Sequence, residues 1–303
     1  MKKALKYFSE KENQMKKALK TIIILALTVC LPTAVMAAPA DWPKKLTIGL
    51  IPVEGSAQIT DRFDNLAQYL EKKLGIPVEL KTATDYAGVI TAMQFKHIDV
   101  AYFGPKSYVE AALRANAEAF VIEVGEDGTQ GYHGMIITKK GSGINSIEDA
   151  KGKIWAFTDP NSTSGTLVPT VYFYKDLKID PEKYFSRVIY SGGHAASILA
   201  IKAGKIDIAS TNDLDMARGD GKEWNKDKDF NIIWTSKLIP GSPMAYRKDL
   251  PESLKKALKG AFLSYNDKEG LEKLKLKGYA AASDDIYDPI RDQMEVKKQL
   301  GKK

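Results

Sequence analysis

An α/β protein of two lobes with a hinged ligand cleft is the fold predicted by three features of the chain. Short apolar strands alternate with helices of 3.6-residue periodicity from Lys45 onward, the alternation begins afresh at Ser146, and the chain turns back toward its first half near Leu238. Strands alternating with helices argue for mostly parallel sheets covered by helices. A chain that crosses between two such halves and returns leaves a cleft, where small molecules bind and about which the halves can close.

Residues 45–53 alternate as a strand, and 59–74 set Phe63, Leu66, Ala67, Leu70 and Leu74 on one helical face. A strand at 78–81 leads to a helix at 86–95, and the run 98–104 to a helix at 106–115. Strands at 119–123 and 134–138 flank a turn-rich segment between Gly125 and Gly131. In the second half a helix at 146–150 precedes a strand at 153–157, a long helix at 167–177, a strand at 187–190, a helix at 195–203 and a strand at 206–210. Residues 230–235 are a strand, 238–243 a connection, and 244–247 a strand returning to the first half. The tail holds helices at 251–265 and 288–300, and the Lys/Glu run at 269–277 reads as a solvated helix face. Lobe 1 is thus 41–132 plus 239–303, and lobe 2 is 133–238.

Composition is that of an ordinary globular chain, with 44% hydrophobic and 27% charged residues among 303. The formal charge of +7 belongs mostly to residues 1–37, which hold seven Lys and two acids and leave 38 Lys+Arg against 36 Asp+Glu, or +2, beyond them. No basic face with interleaved aromatics remains, which argues against nucleic acid as a partner. Met15-Lys16-Lys17-Ala18-Leu19-Lys20, an apolar run to Leu31, then Val35 and Ala37 read as a secretory signal peptide cleaved after Ala37. The same hexamer stands at Met1, so translation is expected to start at Met15. Cys30, the only cysteine, lies in this leader, and Val29 before it departs from the small residue that a lipoprotein anchor wants. The exported chain is expected to lack disulfides and thiol chemistry.

Thr158-Asp159-Pro160-Asn161-Ser162-Thr163-Ser164-Gly165 ends a strand and opens a helix with three adjacent hydroxyls. Unpaired N–H groups and the positive end of the dipole favour an oxyanion there, although a lone Ser or Thr most often caps its own helix. Tyr86 follows Asp85 at another strand-to-helix corner, where Asp85 is a natural cap. Tyr132 lies near the first crossing, and His194 opens a helix behind Gly192 and Gly193. The three histidines lack metal-ligand spacing, and no cofactor is expected. There is no G-x-S-x-G elbow and no phosphate loop. Ser162, His194 and an aspartate nevertheless leave a hydrolase triad open as an alternative.

Asp85-Tyr86-Ala87-Gly88, Asp159 to Gly165, Gly193-His194, Leu238-Ile239-Pro240 and Ala282-Ser283-Asp284-Asp285 resemble the periplasmic phosphonate-binding proteins of ABC importers, over nearly the whole mature chain. The resemblance implies a type II periplasmic binding protein that captures phosphonate, phosphite or phosphate for a membrane permease. It implies no catalysis and a monomer working in the periplasm. Its ligand oxygens would be held by Tyr86, Tyr132, Ser162, Thr163, Ser164 and His194. Relatives that take aminoethylphosphonate carry acids at positions matched here by Leu214 and Ser242. Asp213, beside Leu214, is the acid expected in the cleft, with Asp215 on the other flank, and phosphite or methylphosphonate is expected to be preferred over the aminophosphonate. A secreted phosphoester hydrolase and an extracytoplasmic sensor are the competing readings.

Overall fold

The computed structural model describes residues 1–3, 6–7, 11–17 and 39–300. The apolar run of the expected signal peptide, Cys30 and the cleavage position after Ala37 lie outside the described residues. Residues 11–17 are helical, and Lys16 pairs there with Glu12 at 2.7 Å.

Eleven strands of the described residues build two sheets. They are β1 (Leu46–Leu50), β2 (Val78–Thr82), β3 (Val100–Tyr102), β4 (Ala117–Gly125), β5 (Gly131–Lys139), β6 (Ile154–Phe157), β7 (Arg187–Tyr190), β8 (Ile208–Asn212), β9 (Phe230–Pro240), β10 (Pro243–Arg247) and β11 (Leu276–Ala281). The first sheet has the order β11-β4-β10-β3-β1-β2, and the second β7-β6-β8-β5-β9. The chain crosses between sheets from β4 to β5 and from β9 to β10.

The sheets are mixed rather than mostly parallel. β1 is parallel to β2 and β3, and β6 to β7 and β8, whereas β10 is antiparallel to β3 and β4, β11 to β4, and β5 to β8 and β9. The crossings explain most of this. A strand that enters a lobe from the cleft begins at the edge where the strands followed by helices end, so β5 and β10 must run against such neighbours.

Each lobe buries its own apolar surface. In the first, Leu46, Ile48 and Leu50 pack with Ile59, Phe63, Leu66 and Leu70 of the helix Ser56–Leu74. The second sheet is buried on both faces. Ile137 and Ala209 point to a cluster with Ile198 and Ile201, while their neighbours Ile136 and Ile208 point to the other face, among Trp155, Phe157, Phe173 and Phe185. This is the period of two expected of strands covered on both sides.

Several elements differ from the sequence reading: β9 runs through Pro240 where a connection was expected, the helix expected at 146–150 is a 3-10 turn at Glu148–Ala150, and a helix at Asp213–Gly219 was not expected. The helix Lys268–Leu274 stops at Lys275, whose φ of 57° is left-handed, and β11 follows where a solvated helix face was expected. The long helix after the hydroxyl corner is a wide π turn Thr163–Leu167, an α turn Val168–Val171 and a second π turn Tyr172–Asp176. Pro169 is the physical reason for the first of these, because it offers no N–H to the Gly165 carbonyl and its ring would clash with that carbonyl in a regular helix. The freed carbonyl accepts from the Thr158 N–H at 3.2 Å and the Ser210 hydroxyl at 2.6 Å, which ties the helix start to the ends of β6 and β8. A β-carbon on Gly165 would lie 1.8 Å from Thr158 Oγ1, so only glycine permits this approach.

Candidate functional site

The C-terminal ends of the parallel strands in both lobes meet at one small cavity. Ile51 and Val53 after β1, Tyr86 after β2, and Tyr102 and Gly104 at the end of β3 line it from one side; Ser162 and Thr163 after β6, His194 after β7 and Asn212, Leu214, Asp215 and Arg218 at and beyond the end of β8 line it from the other. Tyr132 and Ser242 join them from the two crossings. Strand ends of α/β sheets are where ligands bind. The enclosed space is about 20 Å³, room for about one water molecule.

The hydroxyl corner is held from both lobes. Ser162 caps the helix, its Oγ accepting from the Gly165 N–H at 3.1 Å. Thr163 Oγ1 accepts from the Lys106 N–H of the first lobe at 2.9 Å. Asp159 takes the Tyr86 N–H at 3.3 Å, the first N–H of the helix Tyr86–Gln94, and Asn161 Oδ1 accepts from Lys106 Nζ at 2.9 Å. The Ala195 N–H donates to the Val53 carbonyl at 3.1 Å. Of these five contacts the Ser162 cap is internal to the second lobe, and the other four cross between the lobes and would break if the lobes parted at the cleft.

Tyr86 is 1% exposed, and its hydroxyl has no partner among the described residues. Burial, then the carboxylates of Asp215 and Asp159, push this phenol far above its ordinary value, so it remains a donor. Tyr132 is likewise buried, with its hydroxyl against those of Thr163 and Ser164. Ser164 does not line the cavity; it is 2% exposed and accepts from Asn212 Nδ2 at 3.4 Å.

Asn212 holds His194 and Asp215 together. Asn212 Oδ1 accepts from the Asp215 N–H at 2.7 Å and its Nδ2 donates to Asp215 Oδ2 at 2.7 Å, which fixes the amide orientation. The same Nδ2 faces His194 Nδ1 at 3.3 Å, and the Thr211 hydroxyl lies at the same distance from that nitrogen. Nε2 lies 3.3 Å from Ser162 Oγ. Burial lowers the pKa of this imidazole, against the opposing pull of Asp215, which favours the neutral ring. Ser162, His194 and Asp215 therefore stand in the order of a hydrolase triad, but Nδ1 is 3.9 Å from the carboxylate, beyond hydrogen-bond reach.

Of the residues singled out in the sequence, Tyr86, Tyr132, Ser162, Thr163 and His194 come together. Asp213 does not: its carboxylate accepts from the His133 and Leu214 N–H groups, at 3.0 and 2.9 Å, and Asp215, two residues further along the helix Asp213–Gly219, lines the cavity instead. The sequence reading also missed Asn212, Tyr102 and Arg218. Asn212 had the same signal as the others, a capping residue at a strand-to-helix corner. His133, whose Nδ1 meets the Ser236 carbonyl at 2.8 Å, faces away from the cavity lining.

The two lobes meet along a seam beside His194. A β-carbon on Gly193 would lie 2.8 Å from the Pro52 carbonyl oxygen and 3.1 Å from that of Val53, both on the first lobe. Such overpacking costs about 1–3 kcal/mol. Gly193→Ala is expected to weaken ligand binding at least about tenfold, or ~1.4 kcal/mol, with an unchanged far-ultraviolet circular dichroism spectrum. Calorimetry showing full affinity would mean that the lobes need not meet here.

Two sheets joined by two crossings, with buried donors converging between them, define a two-lobed solute-binding protein. A family model described as the phosphonate periplasmic substrate-binding protein of ABC transporters matches residues 48–287. The phosphonates-binding periplasmic protein of Escherichia coli strain K12 is 36% identical over 94% of this chain and 87% of its own. The phosphate-import protein PhnD of Mycolicibacterium smegmatis is 34% identical over 71% of this chain and 70% of its own. The crystal structure of a binding protein component of an ABC phosphonate transporter from Pseudomonas aeruginosa matches with a TM-score of 0.81 at 33% identity, covering 86% of this chain and 88% of that one. The chain belongs to the family of periplasmic phosphonate-binding proteins of ABC transporters.

Proposed function

We propose that this member captures a small phosphorus oxyanion without an ammonium group, phosphite or methylphosphonate before aminoethylphosphonate, and passes it unchanged to a membrane permease. The observation that carries the reading is the buried Tyr86 hydroxyl, a donor without a partner, opening on the same cavity as Ser162, Thr163 and His194. Several uncharged donors around one small space suit a tetrahedral oxyanion. Tyr132 and Ser164 complete the proposed set through their contact with Thr163 and Asn212. Export through the signal peptide into the periplasm, and action as a monomer, complete the proposal.

Absence of catalysis is supported by the imidazole, whose Nδ1 lies 3.9 Å from the Asp215 carboxylate, too far for the hydrogen bond that orients a triad base. Titration calorimetry of the mature protein is expected to show one-to-one binding of methylphosphonate or phosphite at least about tenfold tighter than aminoethylphosphonate, a difference of roughly 1.4 kcal/mol. Equal affinity for the aminophosphonate would reverse the assignment, and release of phosphate from a generic phosphomonoester, lost in Ser162→Ala, would favour a hydrolase.

A further inference from the structure

Beside Asn212 and His194 the cavity gathers charges that an uncharged ligand tail does not need. Arg218 and Asp215 both line the cavity beside Leu214 and Ser242. The guanidinium side chain is 6% exposed, with Nη1 2.8 Å from Asp215 Oδ1 and Nη2 3.5 Å from Glu123 Oε1, a carboxylate 3% exposed on β4 of the other lobe. Tyr102, also on the cavity wall, donates to the second Glu123 oxygen at 3.4 Å. Asn212 supplies the remaining hydrogen bond to Asp215.

An ammonium on a ligand would need a carboxylate here, because a desolvated cation without a partner is strongly disfavoured. Asp215 lines the cavity, Glu123 lies behind the wall against the Tyr102 hydroxyl, and Arg218 stands between the two carboxylates. We infer that Arg218 acts as a built-in cation that occupies these two carboxylates and thereby excludes ammonium-bearing phosphonates from the cavity. This rests on the proposed oxyanion function and deepens it: the chain's discrimination comes from a filled acidic site rather than from acids being absent. The electrostatics agree in direction. Burial would raise the Asp215 carboxyl, yet Arg218, with His194 and Arg62, holds it down to about 2. Burial raises Glu123 against the same two arginines.

The inference is tested by the ratio of two affinities, methylphosphonate over aminoethylphosphonate, measured by calorimetry on the mature chain. Arg218→Met is expected to lower that ratio at least tenfold relative to wild type, by admitting the ammonium to Asp215 and Glu123. Arg218→Lys, which keeps a cation there, is expected to retain most of it. Should Arg218→Met not fold, the double variant Arg218→Met, Glu123→Gln removes the buried pair together and leaves Asp215 to receive the ammonium, with the same fall expected. Variants that bind methylphosphonate with the wild-type ratio, or a Lys variant that loses the ratio as fully as Met, overturn the inference and leave the oxyanion function standing. Wild-type protein that binds neither compound overturns the functional reading and this inference with it.

Discussion

Trp155→Ala is expected to cost the protein about 3–5 kcal/mol of stability, the range for removing a large aromatic from a core, and to lower its melting temperature by on the order of 10 °C. The ring is fully buried on β6. It lies 5.3 Å from Phe185 at 20° between planes, and meets Phe157 at 5.2 Å and Phe173 at 4.8 Å edge to face. These rings span β6, the second π turn and the approach to β7, so one truncation opens a cavity among three elements of the second lobe. Trp155→Phe should cost clearly less, because the indole N–H it removes has no partner. Thermal denaturation of the three proteins decides the matter. A melting temperature unmoved by alanine would mean that the second lobe does not depend on this cluster.

The same cluster shows why the fold was legible in the sequence. Trp155 and Phe157 alternate with Ile154 and Ala156 across the sheet, a pattern that burial on both faces dictates locally. β11 was not legible, since Leu276 to Ala281 follows a Lys/Glu-rich helix and becomes a strand only by pairing with β4, far away in sequence. Strand directions were only half legible, because antiparallel β5 and β10 follow from crossings whose geometry no local period records.

The site divides in the same way. Ser162, Thr163, Tyr86 and His194 announce themselves because each stands where a strand hands over to a helix, although Ser162 also caps its own helix there. Asp213 and Asp215 could not be told apart from sequence, being two residues apart on one helix. Which of them meets the cavity is set by the His133 N–H, which claims Asp213. Arg218 gave no signal at all. A basic residue near a helix C-terminus is ordinary, and it acquires meaning only through Glu123 on the other lobe.

In the proposed oxyanion site Thr163 would join capture of the ligand to closure, and Thr163→Ala is therefore expected to weaken binding of methylphosphonate or phosphite by about 1.5–3 kcal/mol, roughly 10- to 150-fold. Its Oγ1 already accepts from the Lys106 N–H across the seam, at 2.9 Å, and the hydroxyl hydrogen remains to be donated into the cavity. A charged oxygen there completes a chain from the first-lobe backbone through the threonine to the ligand, in which each bond polarises the next. Alanine removes both links and leaves the Lys106 N–H buried without an acceptor. Thr163→Ser keeps the oxygen and should bind within a few-fold of wild type by calorimetry. Equal weakening by serine and alanine would transfer the effect from the hydroxyl to the lost methyl group, and unchanged affinity in alanine would remove Thr163 from the site.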